Sequence, residues 1–571
     1  MSHTSCDVVI IGAGGDGPAA AMRLGQHGID TLVLEAGPFH GNENWPNPHR
    51  ESNGGTTSDP SDLSGELLDE QFTKREYEMG DRLRWGPADT SRGPWFRDGT
   101  LVSQVAGVGG TTLHYTGCHP RAYPSAIDDG DGWLIDYEDL VPYYREVENH
   151  LSVTPAPTTP KEEIFYQGCR GEFDLLEDRN VESKGYRPQP NAIFRPNEKL
   201  RGEYDGSFEY PEVEGDTLAG VETVGNPHPE GAPFEEKAKR SSNVGFVPDA
   251  LESGHVTIRP NSFVTDINSE SLLGSQQATG VTYRDTYSGQ ENTVDADVVV
   301  LAAGAIESPR LWLNSDLPEN DWVGKGITLH YGDAVIGVWD EDELQERLGQ
   351  STLDPDKGQQ IAARFDDPGN GCLQTYAGAP GITSLASWGG STAGDAREND
   401  TGGEPWDTTG RFVGADLKEK MEAYGRSLSL QALTNDTPRQ RNGVELVEGV
   451  EDEHGQIPRI NYEPTEGDLE RRSELMRTAA RIFKTAGASH VHRLDAVQIA
   501  IHIHSTMRMG YVVDDGCEAY DVDRLFVADH SALANGVGGP NPTNTGQALA
   551  FRTADVIADR YFSAQDRKSV V

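Results

Sequence analysis

Little in this chain suits cross-linking, a bilayer or a polyanion. It has 5 cysteines in 571 residues (Cys6, Cys118, Cys169, Cys372 and Cys517), and no two form a C-x-x-C pair. Their odd number and wide spacing argue against a disulfide framework and predict reduced thiols. No run of about 18 uninterrupted apolar residues occurs, so no membrane-spanning helix is expected. The opening MSHTSCDVVII lacks a basic n-region and a twin arginine, which predicts no cleaved signal and a cytoplasmic location. Basic residues are scarce, 48 Lys and Arg against 93 Asp and Glu, for a formal net charge of −45. The acids are spread along the chain, not gathered in a tail. That argues against a nucleic-acid or anionic-membrane partner, either of which would select basic patches. It points to a surface adapted to high salt, and so to a halophilic source, where screening removes self-repulsion. No internal repeat, low-complexity linker or metal site is read.

The two ends of the chain carry the strongest patterns. Residues 7–37 read DVVIIGAGGDGPAAAMRLGQHGIDTLVLEAG. Residues 7–11 are a short apolar run suited to a buried parallel strand. Gly12, Gly14 and Gly17 complete G-x-G-x-x-G: Gly12 for the tight turn, Gly14 for close approach of a pyrophosphate, Gly17 for helix–strand packing. A helix over 18–27 aims free N–H groups at phosphates. A second strand over 31–34 ends in Glu35, about 20 residues past the glycines, where an acid binds a ribose hydroxyl and disfavours NADP. Asp16 stands inside the loop, either capping the helix or facing the pyrophosphate. Residues 525–555 read as a strand ending in an acid, a glycine-rich loop and a helix. Together the two ends suggest one cofactor gripped from both termini.

At 571 residues two intimately joined domains are expected. Residues 38–98 form a polar excursion with a short helix near 66–79. Residues 133–151 read as an amphipathic helix capped by Asp136, and 155–235 as irregular and acidic. Strands over 255–267 and 278–302 lead to a turn and a helix. Strands with acidic loops fill 328–460. Residues 469–488 are a helix with Leu469, Met476, Ala480 and Phe483 on one face. The division is 1–135, 236–327 and 495–571 for a dinucleotide-binding domain, interleaved with 136–235 and 328–494 for a substrate domain.

Five blocks, in order, resemble the glucose–methanol–choline (GMC) flavin oxidoreductases: the N-terminal loop, GVGGTTLHYTG at 107–117, GAIESPRLWLNS at 304–315, HIHSTMRMG at 502–510, and the C-terminal stretch with GGPNPTNTG. The loop 107–117 is most similar to those of pyranose oxidases and gluconate-type dehydrogenase subunits. The resemblance implies an α/β fold (α+β overall). In it a Rossmann-like FAD-binding domain interleaves with a substrate domain on an antiparallel sheet. It implies FAD as cofactor, with contacts from Gly15, Gly109, Gly110, Thr111, Ala303, Pro542 and Thr543. Val264 would touch the adenine through its backbone, and Asp529 the ribityl and phosphate region. His114 stands where some relatives link the flavin covalently; covalent attachment and simple packing both stay open.

The same resemblance implies oxidation of a CH–OH group in a sugar, sugar acid or other alcohol, choline or a simple alcohol being the alternative. His502 matches the catalytic histidine, favoured over His504; both would share a face on a regular strand. Asn541 matches the second catalytic position, where an amide hydrogen-bonds substrate without titrating. Ser505 departs from the family's glycine. Oxygen, a quinone or a redox protein would accept the electrons. A homo-oligomer or a small electron-transfer subunit is compatible. An NAD-linked reductase and a non-catalytic flavoprotein are the readings outside the class.

Overall fold

The computed structural model describes residues 5–39, 84–85, 101–102, 105–113, 115–173, 184–193, 239–272, 275–331, 333–355, 358–378, 380–389, 404–410, 412–494 and 499–563. The helix expected near 66–79 and His114 lie outside these residues. The main sheet starts with β1 (Ser5–Ile11), then α1 (Gly17–Gln26) and β2 (Thr31–Leu34). It continues with β3 (Val256–Arg259), β4 (Ser262–Leu272), β5 (Ser275–Asp285) and β6 (Glu291–Leu301), followed by α2 (Gly304–Asn314). Two further strands, β7 (Thr328–Tyr331) and β8 (Ile499–His504), pair with each other outside it. The chain returns to the main sheet with β9 (Leu525–Val527) and closes on α3 (Thr543–Tyr561).

Strands β3, β2, β1, β6 and β9 run parallel, with Val9 opposite Leu32 and Val299, and Leu301 opposite Val527. Val8, Val9, Ile10, Val298, Val299 and Val300 are fully buried, as strands covered on both faces require. Parallel strands put all their carboxyl ends on one edge. Glu35, Gly12, Ala302 and Asp529, each following a different strand, therefore meet there, where open α/β sheets bind ligands.

A second sheet is built from Gly185–Pro188, Ala334–Val338, Ala363–Asp367, Gly371–Tyr376, Thr408–Thr409, Ser427–Thr434 and His490–Leu494. It is antiparallel except where Thr408–Thr409 joins. Alternation sorts its faces: Leu373, Leu430 and Ala432 join the apolar core under the helix Glu466–Thr485, whereas Gln374, Tyr376 and Gln431 line a cavity.

Three expectations are corrected. The stretch after 155 is not wholly irregular, since Pro160–Phe173 is a helix. Gly168 lets it press on the helix Glu466–Thr485: a Cβ there would lie 2.3 Å from the Ile482 carbonyl oxygen. In the latter helix Met476, Ala480 and Phe483 are buried, but Leu469 is 46% exposed because the first turn runs past the edge of the core. Asp16 occupies the N-cap position of α1 without making a side-chain cap bond, its backbone being already in the αR region (φ −109°, ψ −33°). The helix Tyr137–His150 does carry its cap: the Asp139 carboxylate accepts from the Asp136 N–H at 3.0 Å. All 5 cysteines are free, and among the described residues no helix is long and apolar enough to cross a membrane.

Candidate active site

A cavity of about 540 Å³ runs from the carboxyl edge of the main sheet to the inner face of the second sheet. Glycine backbones shape its first end. At Gly12 (φ +105°) a Cβ would lie 2.4 Å from the Ala302 carbonyl oxygen, and at Gly17 one would lie 2.1 Å from the Gly12 carbonyl oxygen. A Cβ on Gly110 would sit 2.6 Å from the Gly14 Cα, so the loop after 107 packs directly on the G-x-G-x-x-G turn. A Cβ on Gly14 would meet only the Gly110 Cα, at 3.9 Å, an ordinary contact.

Of the expected cofactor contacts, Gly12, Gly14, Gly15, Glu35, Gly110, Thr111, Val264, Ala303, Asp529, Asn541 and Thr543 line the cavity. Gly17, Gly109 and Pro542 stand behind it. Gly109 donates its N–H to the Ala13 carbonyl at 2.7 Å, and Pro542 is the N-cap of α3.

The polar groups at this end are tied to backbone. The Glu35 carboxylate accepts from the N–H groups of Ala13 (2.7 Å), Gly37 (2.9 Å) and Gly107 (2.9 Å), clasping three segments. Burial pushes this carboxyl above its ordinary range, and those amides pull it back in part. Asp529 accepts from the Gly304 N–H (2.9 Å), the Ser308 hydroxyl (2.6 Å) and the Ser531 N–H (2.7 Å), fixing the start of α2 against β9. Asp16 is 4% exposed, and burial, then the nearby Asp529, drive its carboxyl well above the carboxylate range. Its Oδ1 has no hydrogen-bond partner and its Oδ2 lies 3.5 Å from His530 Nε2.

These residues fit FAD. The amino ends of α1, α2 and α3 all open on one cavity, the arrangement that binds a diphosphate. An uncharged Asp16 carboxyl would donate to a phosphate oxygen instead of repelling it.

At the other end stand His330, His502 and His504, with His530 reaching back to Asp16. β8 is not regular. Thr328 pairs with His504 and His330 with Ile501, so one residue on β7, Leu329, opposes two on β8, His502 and Ile503, which is a bulge. His502 sits in it at φ +54°, and Ser505 follows at φ +69°. The bulge overturns the expectation that His502 and His504 share a face. His502 lines the cavity, whereas His504 is wholly buried, bonded through Nδ1 to the Thr328 hydroxyl. His502 Nε2 lies 3.3 Å from Asn541 Nδ2, and its Nδ1 lies 2.9 Å from His330 Nδ1. Gln189 Nε2 donates to Asn541 Oδ1 at 3.5 Å. Burial holds His502 well below the usual imidazole range, with His330 and His530 pushing the same way. His504 is lowered well for like reasons, and His530 to about 4. Among the described residues no group of three or more such side chains is arranged to hold a metal ion.

Sequence reasoning missed His330, Gln189, Gln374 and Gln431. His330 lies 172 residues before His502, with no spacing to link them. The three glutamines are buried or half-buried amides on strands or turns whose sequence gives no sign of which face meets a ligand.

Two models of the GMC oxidoreductase family match the chain, at residues 213–332 and 438–550. The chain is 26% identical to a 2-methyl-1,2-propanediol dehydrogenase of Mycolicibacterium austroafricanum, the match covering 100% of this chain and 98% of that one. It is 25% identical to a 6'''-hydroxyparomomycin C oxidase of Streptomyces lividus, over 99% and 93% of the two. Among solved structures it resembles pyridoxine 4-oxidase from Mesorbium loti (TM-score 0.60, 16% identity, covering 98% and 100%). It also resembles the formate oxidase of Aspergillus oryzae RIB40 studied for FAD modification (TM-score 0.62, 13% identity, covering 98% and 99%). With both family models matched and relatives aligned along its length, this chain is similar to the GMC oxidoreductases, and the likeness supports an oxidoreductase acting on CH–OH donors.

Proposed function

We propose that the chain oxidises a CH–OH group of a sugar, polyol or related alcohol to a carbonyl, with His502 as the base. One observation carries the reading: His502 Nε2 and Asn541 Nδ2 converge at 3.3 Å on the cavity that the dinucleotide loop also lines. FAD held by the dinucleotide loop, Glu35 and Asp529 would supply the hydride acceptor. An alcohol oxygen placed between His502 and Asn541 meets a bare imidazole nitrogen and an amide donor. The lowered His502 is neutral near pH 7 and so free to take the hydroxyl proton. Asn541 holds the oxygen throughout without titrating.

Gln374 and Gln431, bonded to each other at 3.0 Å, bring carboxamides to the same cavity. Amides both donate and accept, which suits neutral hydroxyls. Choline is the second reading, because the chain is also 25% identical to an oxygen-dependent choline dehydrogenase of Staphylococcus saprophyticus, over 62% of this chain and 55% of that one. The electron acceptor is oxygen, a quinone or a redox protein. We read the chain as a FAD-binding domain interleaved with a substrate domain, a reading that the two separate sheets support, and the −45 charge as adaptation to salt.

Anaerobic bleaching of the flavin by a panel of sugars, sugar acids, polyols, choline and simple alcohols tests the substrate class. Bleaching by none of them removes the reading. Acid precipitation separates the two states at His114: linked flavin pellets with the protein, free flavin stays in solution. A link that persists in His114→Ala places the attachment elsewhere.

A further inference from the structure

We propose that His330 is a positioning residue that holds His502 in the tautomer whose Nε2 is bare and ready to accept the substrate's proton. The inference rests on His502 being the base. Its evidence is a ladder of four side chains. Gln189 Nε2 donates to Asn541 Oδ1, so the Asn541 amide turns its NH2 toward His502, where Nδ2 meets Nε2 at 3.3 Å. A nitrogen that accepts from an amide carries no proton. In a neutral imidazole the proton then sits on the other nitrogen. His502 Nδ1 therefore donates, and the atom it faces, at 2.9 Å, is His330 Nδ1. Only one N–H fits between two nitrogens, so His330 must accept there and carry its own proton on Nε2. That Nε2 is buried, and the ring's backbone hydrogen bond is to Gly536.

The surroundings make His330 the group that decides. The ring is fully buried on β7, and it stands edge-on to both His502 and His504. The other titratable groups facing the pair are His504 on β8 and His530 after β9, with Asp16 and Asp529 beside His530. Burial and His504 both keep His330 neutral, the Gly536 backbone offsetting part of this. A neutral His330 is an acceptor; a charged one could not be.

When substrate is oxidised its O–H bond breaks toward His502 Nε2, and the Nδ1–H stays in place. The positive charge that results is stabilised by the charge-assisted Nδ1–H···Nδ1 bond. Two imidazolium rings at this separation repel, so the pair takes up one proton as a unit.

The test uses the full FAD-bound chain and two variants. His330→Phe keeps an aromatic ring and removes the acceptor; His330→Asn places Oδ1 near the level of the lost Nδ1. FAD content and melting temperature are checked first, and His330→Met replaces the phenylalanine variant if that does not fold. Acylation of His502 by diethyl pyrocarbonate, located by peptide mass spectrometry across pH, reads its free-base fraction without turnover. In His330→Phe the midpoint should fall by about one pH unit, equivalent to one hydrogen bond of ordinary net strength. Flavin reduction should slow by about 10–100-fold, as when the partner orienting a ligating imidazole is removed. His330→Asn should restore most of both. An unchanged midpoint in His330→Phe, or equal losses in the two variants, overturns the proposal. His502→Ala that still reduces flavin would instead sink the assignment of the base, leaving the midpoint shift to stand by itself.

Discussion

At the residue scale, the site's chemistry depends on which groups stay neutral. His502 opens on the cavity, yet burial lowers it well below the ordinary imidazole range. A base must be unprotonated to act, and a lowered value keeps it so down to more acid pH. The rate of flavin reduction should therefore stay level from pH 8 to about 6.5, the ordinary value for histidine, and fall only below it. A rate already halved above pH 6.5 would contradict the burial argument. His502→Ala should cost about 10²–10⁴ in that rate, the range for a lost general base, while FAD stays bound. Asn541→Ala should cost less, since it removes a hydrogen bond and no proton acceptor. A dead His504→Ala with an active His502→Ala would reverse the assignment.

At the element scale, two local distortions build the site. One is the turn from β1 into α1, where a Cβ on Gly17 would fall 2.1 Å from a backbone oxygen. Backbone cannot yield cheaply, so Gly17→Ala should lower stability by about 1–3 kcal/mol, as overpacking does, and loosen FAD. Gly15→Ala meets only the Thr112 Cγ2 methyl, at 3.3 Å, and should cost clearly less. Denaturant unfolding of the two variants, with FAD release followed by fluorescence, makes the comparison. Equal losses would mean that helix–strand packing does not depend on Gly17. The other distortion is the bulge in β8. One extra residue between the pairs Thr328–His504 and His330–Ile501 turns His502 toward the cavity and leaves His504 on Thr328. Bulges re-aim side chains in this way beside active sites.

At the scale of the whole molecule, a charge of −45 on 571 residues makes stability a matter of screening. The Debye length grows from about 3 Å at 1 M salt to about 30 Å at 0.01 M, so melting temperature and FAD retention should both fall as salt is removed. A melting temperature equal at the two salts would refute the high-salt reading. The sequence by itself determined the nucleotide end: G-x-G-x-x-G, β2 and Glu35 lie within one βαβ unit, so their meeting needs only local geometry and the parallel pairing of adjacent strands. It also determined that the C-terminal block returns to that sheet, because its apolar strand and its acid are written together. The tertiary structure alone decided the proposed catalytic end. His330, His502 and Asn541 come from three separate segments, and only the pairing of β7 with β8 and the docking of the loop before α3 bring them within hydrogen-bond reach. The one-residue bulge that leaves His502, and not His504, on the cavity depends on register against a strand 172 residues away in the chain, and a period-2 pattern carries no trace of that register.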